Sequence, residues 1–503
     1  MQSQLTIAKS RRGQIVLATC LALSGCLAGP RLLLGQCSPA FSPAANYGMG
    51  TSPFSVAIAD FNGDFKADLA TANLGSSNVT VRRGNGDGTF SSSANFGTGP
   101  SPYSLAVGDI DNDSRMDLVV CGDVATNNVY VLLGNGDGTF HAPVTYSAGN
   151  RPECVALADF NHDGWIDVVT ANYEGNNISV LLNLNGTLQT AVSYPVGTAP
   201  QSVAVGDLNL DGKLDLAVGN AGDNSVSVLL GNGDGTFAPA TTFGAGTYPI
   251  SIAIADVSND GRPDLIVTNS NSNNVSVLLG NGNGTFLAAV NYAVGSGPGQ
   301  VAVGDLNGDG RLDLVIANYN SNSLSVLLGN GNGTFAAATN LAAGNHAWSV
   351  APADLDADGR PDLAAANING NNVSVFLNTG ASAFITQQPN GATVNQGQTA
   401  ILAVTATGAV SLRWRHNGLA LSNAGHFSGV TTNTLTISNC TAAEAGAYDV
   451  QIGAVCDAGV ISRTAVLDVN IPVCKGDFNN DGQFSTLDIQ GFVSALLAGQ
   501  TCP

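Results

Sequence analysis

The chain has 503 residues, of which 62 are glycine and only 11% are charged. Abundant glycine, few charges and the lack of a heptad pattern favour short strands and tight turns, so the sequence predicts an all-β protein. The net charge of -20 argues against a nucleic-acid partner.

Residues 1–36 are predicted to be an export signal. Three basic residues between positions 9 and 12 precede an apolar run from Ile15 to Leu23, in the order typical of a signal peptide. The run is too short to span a bilayer. Leu-Ser-Gly-Cys at 23–26 resembles a lipobox, so one interpretation is a lipoprotein signal ending before Cys26, whose lipid would be the only membrane link. The other is an ordinary signal cleaved near Gln36. Both predict a secreted or cell-surface protein.

An acidic loop of nine residues then occurs seven times, at intervals of 48 to 50 residues. In the clearest copy, Asp305 to Asp313, oxygen-bearing side chains stand at positions one, three, five and nine, and glycine stands at position six. Calcium binds such mixtures of carboxylate and amide oxygens. The loops hold 23 of the 37 acidic residues, so most of the negative charge is predicted to belong to calcium sites.

The predicted calcium ligands are the residues at these four positions. They are Asp60, Asn62, Asp64 and Asp68; Asp109, Asp111, Asp113 and Asp117; Asp159, Asn161, Asp163 and Asp167; Asp207, Asn209, Asp211 and Asp215; Asp256, Ser258, Asp260 and Asp264; Asp305, Asn307, Asp309 and Asp313; Asp354, Asp356, Asp358 and Asp362. Phe65 and Ser114 replace the glycine of position six and Ser258 replaces the amide or acid of position three, so these three sites are expected to be weaker or distorted.

Each loop lies in a unit of short apolar strands and an Asn-rich turn, and most units end in Gly-Asn-Gly-Asp-Gly-Thr-Phe or a close variant. A period near 50 fits the blade of a β-propeller, and seven units over residues 41–384 predict a seven-bladed ring. The motifs resemble the FG-GAP/VCBS repeats of integrin α-subunits and of many secreted bacterial proteins, a resemblance that implies calcium-bound blades. Phe41 to Tyr47 resembles an outer strand and is predicted to complete the last blade, which would remove the exposed sheet edges.

The ring also predicts a binding rim at the end of the strands away from the loops. The residue six before each loop varies while the scaffold repeats, and the turns after the second strands reach the same face. These positions are Phe54, Tyr103, Glu153, Gln201, Ile250, Gly299 and Trp348, with Tyr173, Glu174 and Tyr319 from the turns. Aromatic and polar groups on a concave surface suit a glycan or protein ligand. The alternative is that they are ordinary residues at the entry to each blade.

Residues 385–471 resemble an immunoglobulin-like β-sandwich. Trp414 matches the core tryptophan of the third strand and Tyr448 matches the tyrosine corner. Val404 and Val450 stand where the two inter-sheet cysteines would be, so packing is expected to hold this core.

Residues 472–503 have the spacing of an EF-hand loop followed by an apolar helix, and resemble one half of a type I dockerin. The additional calcium ligands predicted here are Asp477, Asn479, Asp481, Gln483 and Asp488. A full dockerin has two such halves, so the resemblance does not extend to cohesin binding.

The cysteines suggest local disulfides, which an exported protein retains. The predicted pairs are Cys440 with Cys456 and Cys474 with Cys502, since each closes a short loop. Cys121 and Cys154 lie towards the rim, where a disulfide and two buried free thiols are equally compatible with the sequence.

The sequence favours adhesion or ligand binding over catalysis. A catalytic site should break the repeat, and the five histidines form neither a Ser/His/Asp set nor a zinc spacing. The alternative function is a carbohydrate-active enzyme, a polysaccharide lyase or hydrolase, on the same scaffold. The chain is expected to be monomeric.

Overall fold

The structure is a computed structural model that describes residues 38–122, 127–380, 384–407, 409, 411–453 and 460–470. They form two compact units, divided after Gly380. All of their regular elements are β-strands, which confirms the all-β prediction, and no helix among them is long and apolar enough to cross a membrane. The predicted signal and the tail segment lie outside the described residues.

The first unit contains seven four-stranded antiparallel sheets. The strands in chain order are β1 (Ala45–Gly48); β2 (Pro53–Ala59), β3 (Asp68–Asn73), β4 (Asn78–Gly84) and β5 (Phe90–Gly97); β6 (Pro102–Gly108), β7 (Asp117–Gly122), β8 (Asn128–Leu132) and β9 (Val144–Ser147); β10 (Pro152–Ala158), β11 (Asp167–Asn172), β12 (Asn177–Leu181), the hairpin β13 (Asn183–Leu184) and β14 (Thr187–Leu188), and β15 (Val192–Pro195); β16 (Pro200–Gly206), β17 (Asp215–Asn220), β18 (Ser225–Leu229) and β19 (Thr241–Gly244); β20 (Pro249–Ala255), β21 (Asp264–Asn269), β22 (Asn274–Leu278) and β23 (Val290–Ala293); β24 (Pro298–Gly304), β25 (Asp313–Asn318), β26 (Ser323–Leu327) and β27 (Thr339–Ala342); β28 (Ala347–Ala353), β29 (Asp362–Asn367) and β30 (Asn372–Phe376).

Sheets one to six each take their four long strands from one continuous stretch of chain, beginning at β2, β6, β10, β16, β20 and β24. Sheet seven is different, because β28, β29 and β30 are completed by β1 from the start of the unit. Asn46 is opposite Ser374 in this pairing, and the hydroxyl of Ser374 donates to the Asn46 side-chain oxygen at 2.7 Å. The N-terminal strand therefore completes the last sheet, as the sequence predicted.

The core of this unit lies between neighbouring sheets. The second strand of every sheet is buried along its whole length, so these strands read as continuous runs of small and apolar residues instead of alternating ones. One apolar cluster fills each junction between consecutive sheets, and a further cluster, with Val56 and Leu69 from sheet one and Val373 and Val375 from sheet seven, joins the last sheet to the first.

Hydrogen bonds also connect each sheet to the one before it. In five sheets a glycine N–H in the Gly-Thr-Phe turn donates to the carbonyl of loop position two in the preceding sheet; the five donors are Gly88, Gly138, Gly235, Gly284 and Gly333. Sheets three and seven lack that turn, and there the side-chain amides of Asn183 and Asn378 donate to the corresponding carbonyl at 2.8 Å. The bond from Gly88 ends on Leu355 of sheet seven, so the series includes the first and last sheets.

The second unit is a β-sandwich. Its strands are β31 (Phe384–Gln387), β32 (Ala392–Asn395), β33 (Ala400–Ala403), β34 (Thr405–Thr407), β35 (Ser411–His416), β36 (Leu419–Ala420), β37 (Phe427–Ser428), β38 (Thr434–Ile437), β39 (Gly446–Gly453), β40 (Val460–Ile461) and β41 (Ala465–Asn470). Trp414 and Tyr448 are fully buried in its core with Val404 and Val450, and the Tyr448 hydroxyl donates to the Glu444 carbonyl at 2.7 Å. These contacts confirm the predicted core tryptophan and tyrosine corner. Phe384, predicted to end the first unit, pairs with Thr407 in the second.

Cys440 does not form the predicted disulfide. It is a free, fully buried cysteine, and its thiol is 3.3 Å from the Ile437 carbonyl within the sandwich core. A small apolar side chain with a weak donor is well accommodated there without a covalent bond. The remaining residues of the predicted pairs, Cys456, Cys474 and Cys502, lie outside the described residues.

Candidate functional site: the acidic loops and the central cavity

The acidic loops join the first and second strands of all seven sheets. Two residues in each loop have left-handed backbone conformations. They are position six, as predicted from its glycine, and position four, where φ lies between 54° and 75° for residues as different as Leu210, Asn259 and Ala357. The position-four turn was missed because no residue type marks it in the sequence.

Side-chain oxygens organise each loop from within. In the second loop, one oxygen of Asp109 accepts the Asp113 N–H at 3.0 Å and the other accepts the Ser114 N–H at 2.8 Å. Position five then accepts the N–H of position seven, as Asp113 does from Arg115 at 2.9 Å. The acids of positions one and five therefore fold the loop around a shared centre, which explains why the sequence requires oxygen at these positions.

Position nine has a second role that the sequence did not reveal. The position-nine aspartates are fully buried at the start of the second strands. In the sixth loop, Asp313 accepts the Leu306 N–H at 3.0 Å and the Gly329 N–H at 2.8 Å. The same two bonds recur in the other six loops. These carboxylates connect the loop to the end of the third strand whether or not they bind an ion.

Burial is the main cause of a raised pKa at position nine. It raises the pKa of Asp68, Asp117, Asp167 and Asp264 to about 6 and that of Asp313 and Asp362 to about 7, and it also raises the pKa of Asp215. The neighbouring loop acids add to the shift, while the two backbone N–H donors oppose it. Without a cation, these groups hold protons more tightly than an exposed aspartate does.

Two loops bring three carboxylates together in a manner suited to a cation. Oxygens of Asp109, Asp111 and Asp117 lie within 4.8 Å of one another, and so do those of Asp354, Asp356 and Asp362. Oxygens that share one calcium ion lie at most about 5 Å apart, because each is 2.3 to 2.6 Å from the metal. The donor set and its spacing therefore fit a calcium ion.

The three exceptional loops differ in how well they keep this arrangement. Phe65 and Ser114 adopt the left-handed conformation of the glycine they replace, with φ of 64° and 69°, and both keep the bond to position one. The expected distortion is therefore wrong for their backbones, although Phe65 pays a steric cost of about 1 kcal/mol or more. In the fifth loop the Ser258 hydroxyl donates to Asp256 at 3.3 Å. The Asp260 N–H bonds to only one side chain of this loop, that of Asp256.

The predicted rim residues lie at the opposite ends of the first strands. The pairing register of each first strand shifts there by one residue. Phe54, Tyr103, Glu153, Gln201, Ile250 and Trp348 are the extra residues at six of these β-bulges. A bulge re-aims side chains and is common beside functional sites. Here all seven bulges line one central cavity of about 90 Å³.

One side of the cavity is aromatic. The ring of Phe54 lies 4.4 Å from the ring of Tyr103 and 5.2 Å from that of Trp348, between centroids. Trp348 also meets Tyr319 edge to face at 5.7 Å. The three cavity rings come from the consecutive sheets seven, one and two, and we call them the aromatic wall.

Sheets three and four bring polar groups to another part of the cavity lining. Glu153 is only 2% exposed; its carboxylate is 2.8 Å from Arg151 Nε and accepts the side-chain N–H of Gln201 at 2.8 Å. Arg151 also lies 3.5 Å from the Glu174 carboxylate and stacks over the ring of Tyr173 at 4.6 Å. The charge of Glu153 is therefore compensated within the protein.

Sequence reasoning missed Arg151, Tyr248 and His346, which stand two residues before the bulges. All seven residues at this position have positive φ, and six of them donate their N–H to an asparagine side chain of the preceding sheet. The hydroxyl oxygens of Tyr248 and Tyr173 lie 3.4 Å apart. Burial is the largest cause, and this contact the next, of the raised pKa of Tyr248, which is about 12. The residue type at this position varies from sheet to sheet at a fixed distance from the acidic loop, and that variation is the sequence signal that could have identified them.

Cys121 and Cys154 are both free. The sequence was equally compatible with a disulfide and with two free thiols, and the structure has the free thiols. Cys154 lines the cavity, whereas Cys121 is buried in β7. Burial raises the pKa of both thiols, so they remain protonated and unreactive at neutral pH. The EF-hand residues Asp477, Asn479, Asp481, Gln483 and Asp488 lie outside the described residues.

Comparisons with known proteins identify both units. A model of the FG-GAP-like repeat matches residues 60–120, 115–170, 159–218, 207–267, 256–316 and 305–365, and a model of the immunoglobulin I-set domain matches 383–469. No curated protein matches the chain.

Solved structures that match parts of the chain include a functionally unknown protein from Desulfotomaculum acetoxidans DSM 771, 15% identical, covering 59% of this chain and 90% of that one with a TM-score of 0.43. A chimeric titin Z1Z2 protein is 24% identical and covers 18% of this chain and 93% of that one, with a TM-score of 0.16. Since the repeat matches run from each acidic loop to the next across residues 60–365, the chain belongs to the FG-GAP-like repeat family.

Proposed function

We propose that this chain is an exported, calcium-loaded β-propeller protein that acts in adhesion or ligand binding at the cell surface. FG-GAP-like repeats combined with an I-set immunoglobulin domain suggest a surface or adhesion-type protein. The observation that carries the proposal is the central cavity, where seven β-bulges present different side chains on an otherwise repeated scaffold.

Three features support a closed ring of seven blades that ends by Gly380. The inner strand β2 contacts both β6 and β28, an apolar cluster joins sheets seven and one, and Gly88 donates to Leu355 across the same junction. In such a ring the inner strands face the centre, and only the short outer strands of the blades keep an exposed edge, in keeping with a monomeric protein.

Calcium is proposed to be structural. In each loop the side chains of positions one, three, five and nine would hold the ion, which supplies positive charge to a cluster of acids that otherwise repel one another. Seven equivalent sites have the character of a scaffold, whereas catalysis requires one asymmetric cluster. The predicted EF-hand site in the tail would add one further ion.

Calcium affinity is expected to fall progressively once the pH drops below about 6 to 7, instead of only below about 4. The position-nine aspartates have raised pKa values of about 6 to 7 in the metal-free fold, so protons compete with the ion across that range and binding releases them. Calorimetric titration in two buffers with different ionisation enthalpies measures both the calcium affinity and the number of protons released on binding. An affinity that stays constant down to about pH 5 would contradict the assignment.

The ligand is proposed to be a glycan or protein that docks on the rim. Nucleic acid is disfavoured by the acidic composition, and a lipid on Cys26 is the only membrane link proposed. The alternative, a polysaccharide lyase or hydrolase, receives less support, because Glu153 is the one carboxylate among the residues that line the cavity, while most glycoside hydrolases use a pair.

The test is a double substitution, Trp348→Ala with Tyr103→Ala, applied to whatever ligand an array of glycans and matrix proteins identifies in the presence of calcium. We expect binding to weaken about tenfold or more, since each aromatic contact is worth about 1 kcal/mol, while calcium stoichiometry is kept and the melting temperature falls only slightly.

A matched control is Tyr146→Ala with Tyr292→Ala, which truncates two half-buried aromatics on outer strands. Its affinity should equal that of the wild type. Wild-type affinity in the Trp348/Tyr103 variant would instead move the site away from the rim, and product formed from a bound polysaccharide would favour the enzyme.

A further inference from the structure

Six of the seven acidic loops have a lysine or an arginine at position seven, between two of the aspartates that are proposed to bind calcium. These residues are Lys66, Arg115, Lys213, Arg262, Arg311 and Arg360, and Trp165 stands at the same position in the third loop. A positive charge beside a bound calcium ion is repelled by it, so these side chains do not serve as ligands. Their presence in six loops requires another explanation.

Each of these cations lies against the position-five carboxylate of its own loop. One oxygen of that carboxylate accepts the position-seven N–H, as Asp211 does from Lys213 at 2.9 Å. The cationic group pairs with the other oxygen, at 3.2 Å between Arg115 and Asp113 and at 3.8 Å between Lys213 and Asp211. The remaining four loops have the same pairing. In the metal-free fold, the second oxygen of this proposed ligand is therefore already occupied by a cation of the protein.

The two loops with the most acids show what this pairing does to the ligand set. In loops two and seven, the carboxylates that lie within 4.8 Å of one another belong to positions one, three and nine. Asp113 and Asp358, at position five, stand outside these clusters, and Arg115 and Arg360 are the cations that hold them. The position-five carboxylate has to leave its cation before all four ligands of a loop can share one ion.

Loops three and four form a matched pair that differs at position seven. Both have the ligands Asp, Asn, Asp and Asp with a glycine at position six, and in both the position-one carboxylate accepts the N–H groups of positions five and six at 2.8 to 3.1 Å. Loop three has Trp165 where loop four has Lys213, and the second oxygen of Asp163 accepts a neutral amide N–H from Asn161 at 3.0 Å. The loops therefore differ in charge through the residue at position seven.

On the basis of the calcium binding proposed above, we infer that the position-seven cations are competitors built into the loops, which set the calcium affinity of each loop. In the metal-free fold, Lys213 or its equivalent neutralises part of the acid cluster, and it is displaced from the position-five oxygen when the loop takes up calcium. Loop three, which has Trp165, is filled at a lower calcium concentration than loop four. Complete loading frees six cations at the loop end of the sheets.

The inference is tested on the full chain by changing the position-seven residues of the matched loops. Lys213→Met removes the cation of loop four, and Trp165→Lys adds one to loop three. An exposed ion pair changes an equilibrium by up to about fivefold, and repulsion between the cation and the ion adds to this effect. We expect Lys213→Met to raise the affinity of loop four by about threefold to tenfold, and Trp165→Lys to lower that of loop three by a similar factor.

Equilibrium dialysis of radioactive calcium at buffered free concentrations gives the number of bound ions. The difference between the variant and wild-type isotherms isolates the altered loop, because the other sites cancel. That difference should be positive for Lys213→Met and negative for Trp165→Lys, and it should reach about half an ion for a tenfold change in affinity. The variant with both substitutions should return nearly to the wild-type isotherm. Arg413→Met, which removes a cation from β35 in the second unit, is the matched control and should leave the isotherm unchanged.

The outcomes separate this inference from the calcium role on which it rests. If the wild type binds calcium and the two single variants have its isotherm, the calcium sites stand and competition at position seven is wrong. Weaker binding by Lys213→Met also overturns the inference, since the cation would then orient Asp211 towards the ion. If the folded wild type binds no calcium, the proposed calcium role fails and the inference fails with it.

Discussion

Removal of calcium is expected to unfold the first unit or to leave it barely stable. An ion that binds only the folded state adds about 2.7 kcal/mol at a hundredfold excess over its dissociation constant. Seven such contributions exceed the roughly 5 to 15 kcal/mol that separates a typical folded protein from its unfolded state. Chelation should therefore lower the melting temperature steeply. An unchanged melting curve in excess chelator, with metal removal verified by elemental analysis, would refute a structural role for calcium.

The loss of melting temperature in single-site variants should depend on which loop side chain is removed. Asp309→Ala deletes a carboxylate that also accepts the Arg311 N–H at 2.9 Å, whereas Ser258→Ala deletes only a hydroxyl. We expect the first to lower the melting temperature more than the second at the same saturating calcium concentration. Equal effects would mean that the fifth and sixth sites do not differ as their ligands suggest.

The second large effect is expected for Asp313→Ala, at the same saturating calcium concentration. This substitution removes a proposed metal ligand, as Asp309→Ala does, but it also deletes the carboxylate that accepts the buried N–H groups of Leu306 and Gly329. Each unpaired donor costs about 1 to 3 kcal/mol, so Asp313→Ala should be less stable than Asp309→Ala by about 2 to 6 kcal/mol.

Chemical denaturation of the two variants measures this difference, with Asp313→Asn as the intermediate case, because an amide oxygen still accepts one of the two bonds. If Asp313→Ala and Asp309→Ala were equally stable, position nine would act only through the ion.

The repeat made much of this architecture predictable. A fixed distance between loops placed the strands of every sheet in register, so the variable residues Phe54, Tyr103 and Trp348 could be aligned and assigned to one surface before any coordinate was known. The structure brings them together around one cavity. The alignment succeeded because side chains at equivalent positions of equivalent strands must lie at equivalent places.

Features that depend on contacts between units of the repeat were not predictable. The asparagines at 183 and 378 replace a glycine N–H by a side-chain amide, a substitution with no counterpart in the other sheets. The β-bulges and the role of Arg151 depend on pairing register and on neighbours from adjacent sheets. The free thiol of Cys440 depends on packing inside the sandwich, which cysteine spacing does not describe.

The pairing of β1 with β30 has a consequence for how this protein is made. Asn46 and Ser374 are separated by 328 residues, so no continuous stretch of chain can complete sheet seven, and such long-range pairing forms slowly. During synthesis, β1 must wait until nearly all of the unit has emerged. A second copy offers the same strand at the same edge, so crowded refolding should yield dimers with exchanged N-terminal strands. The strand pairing that completes sheet seven is therefore also the place where two copies can exchange strands.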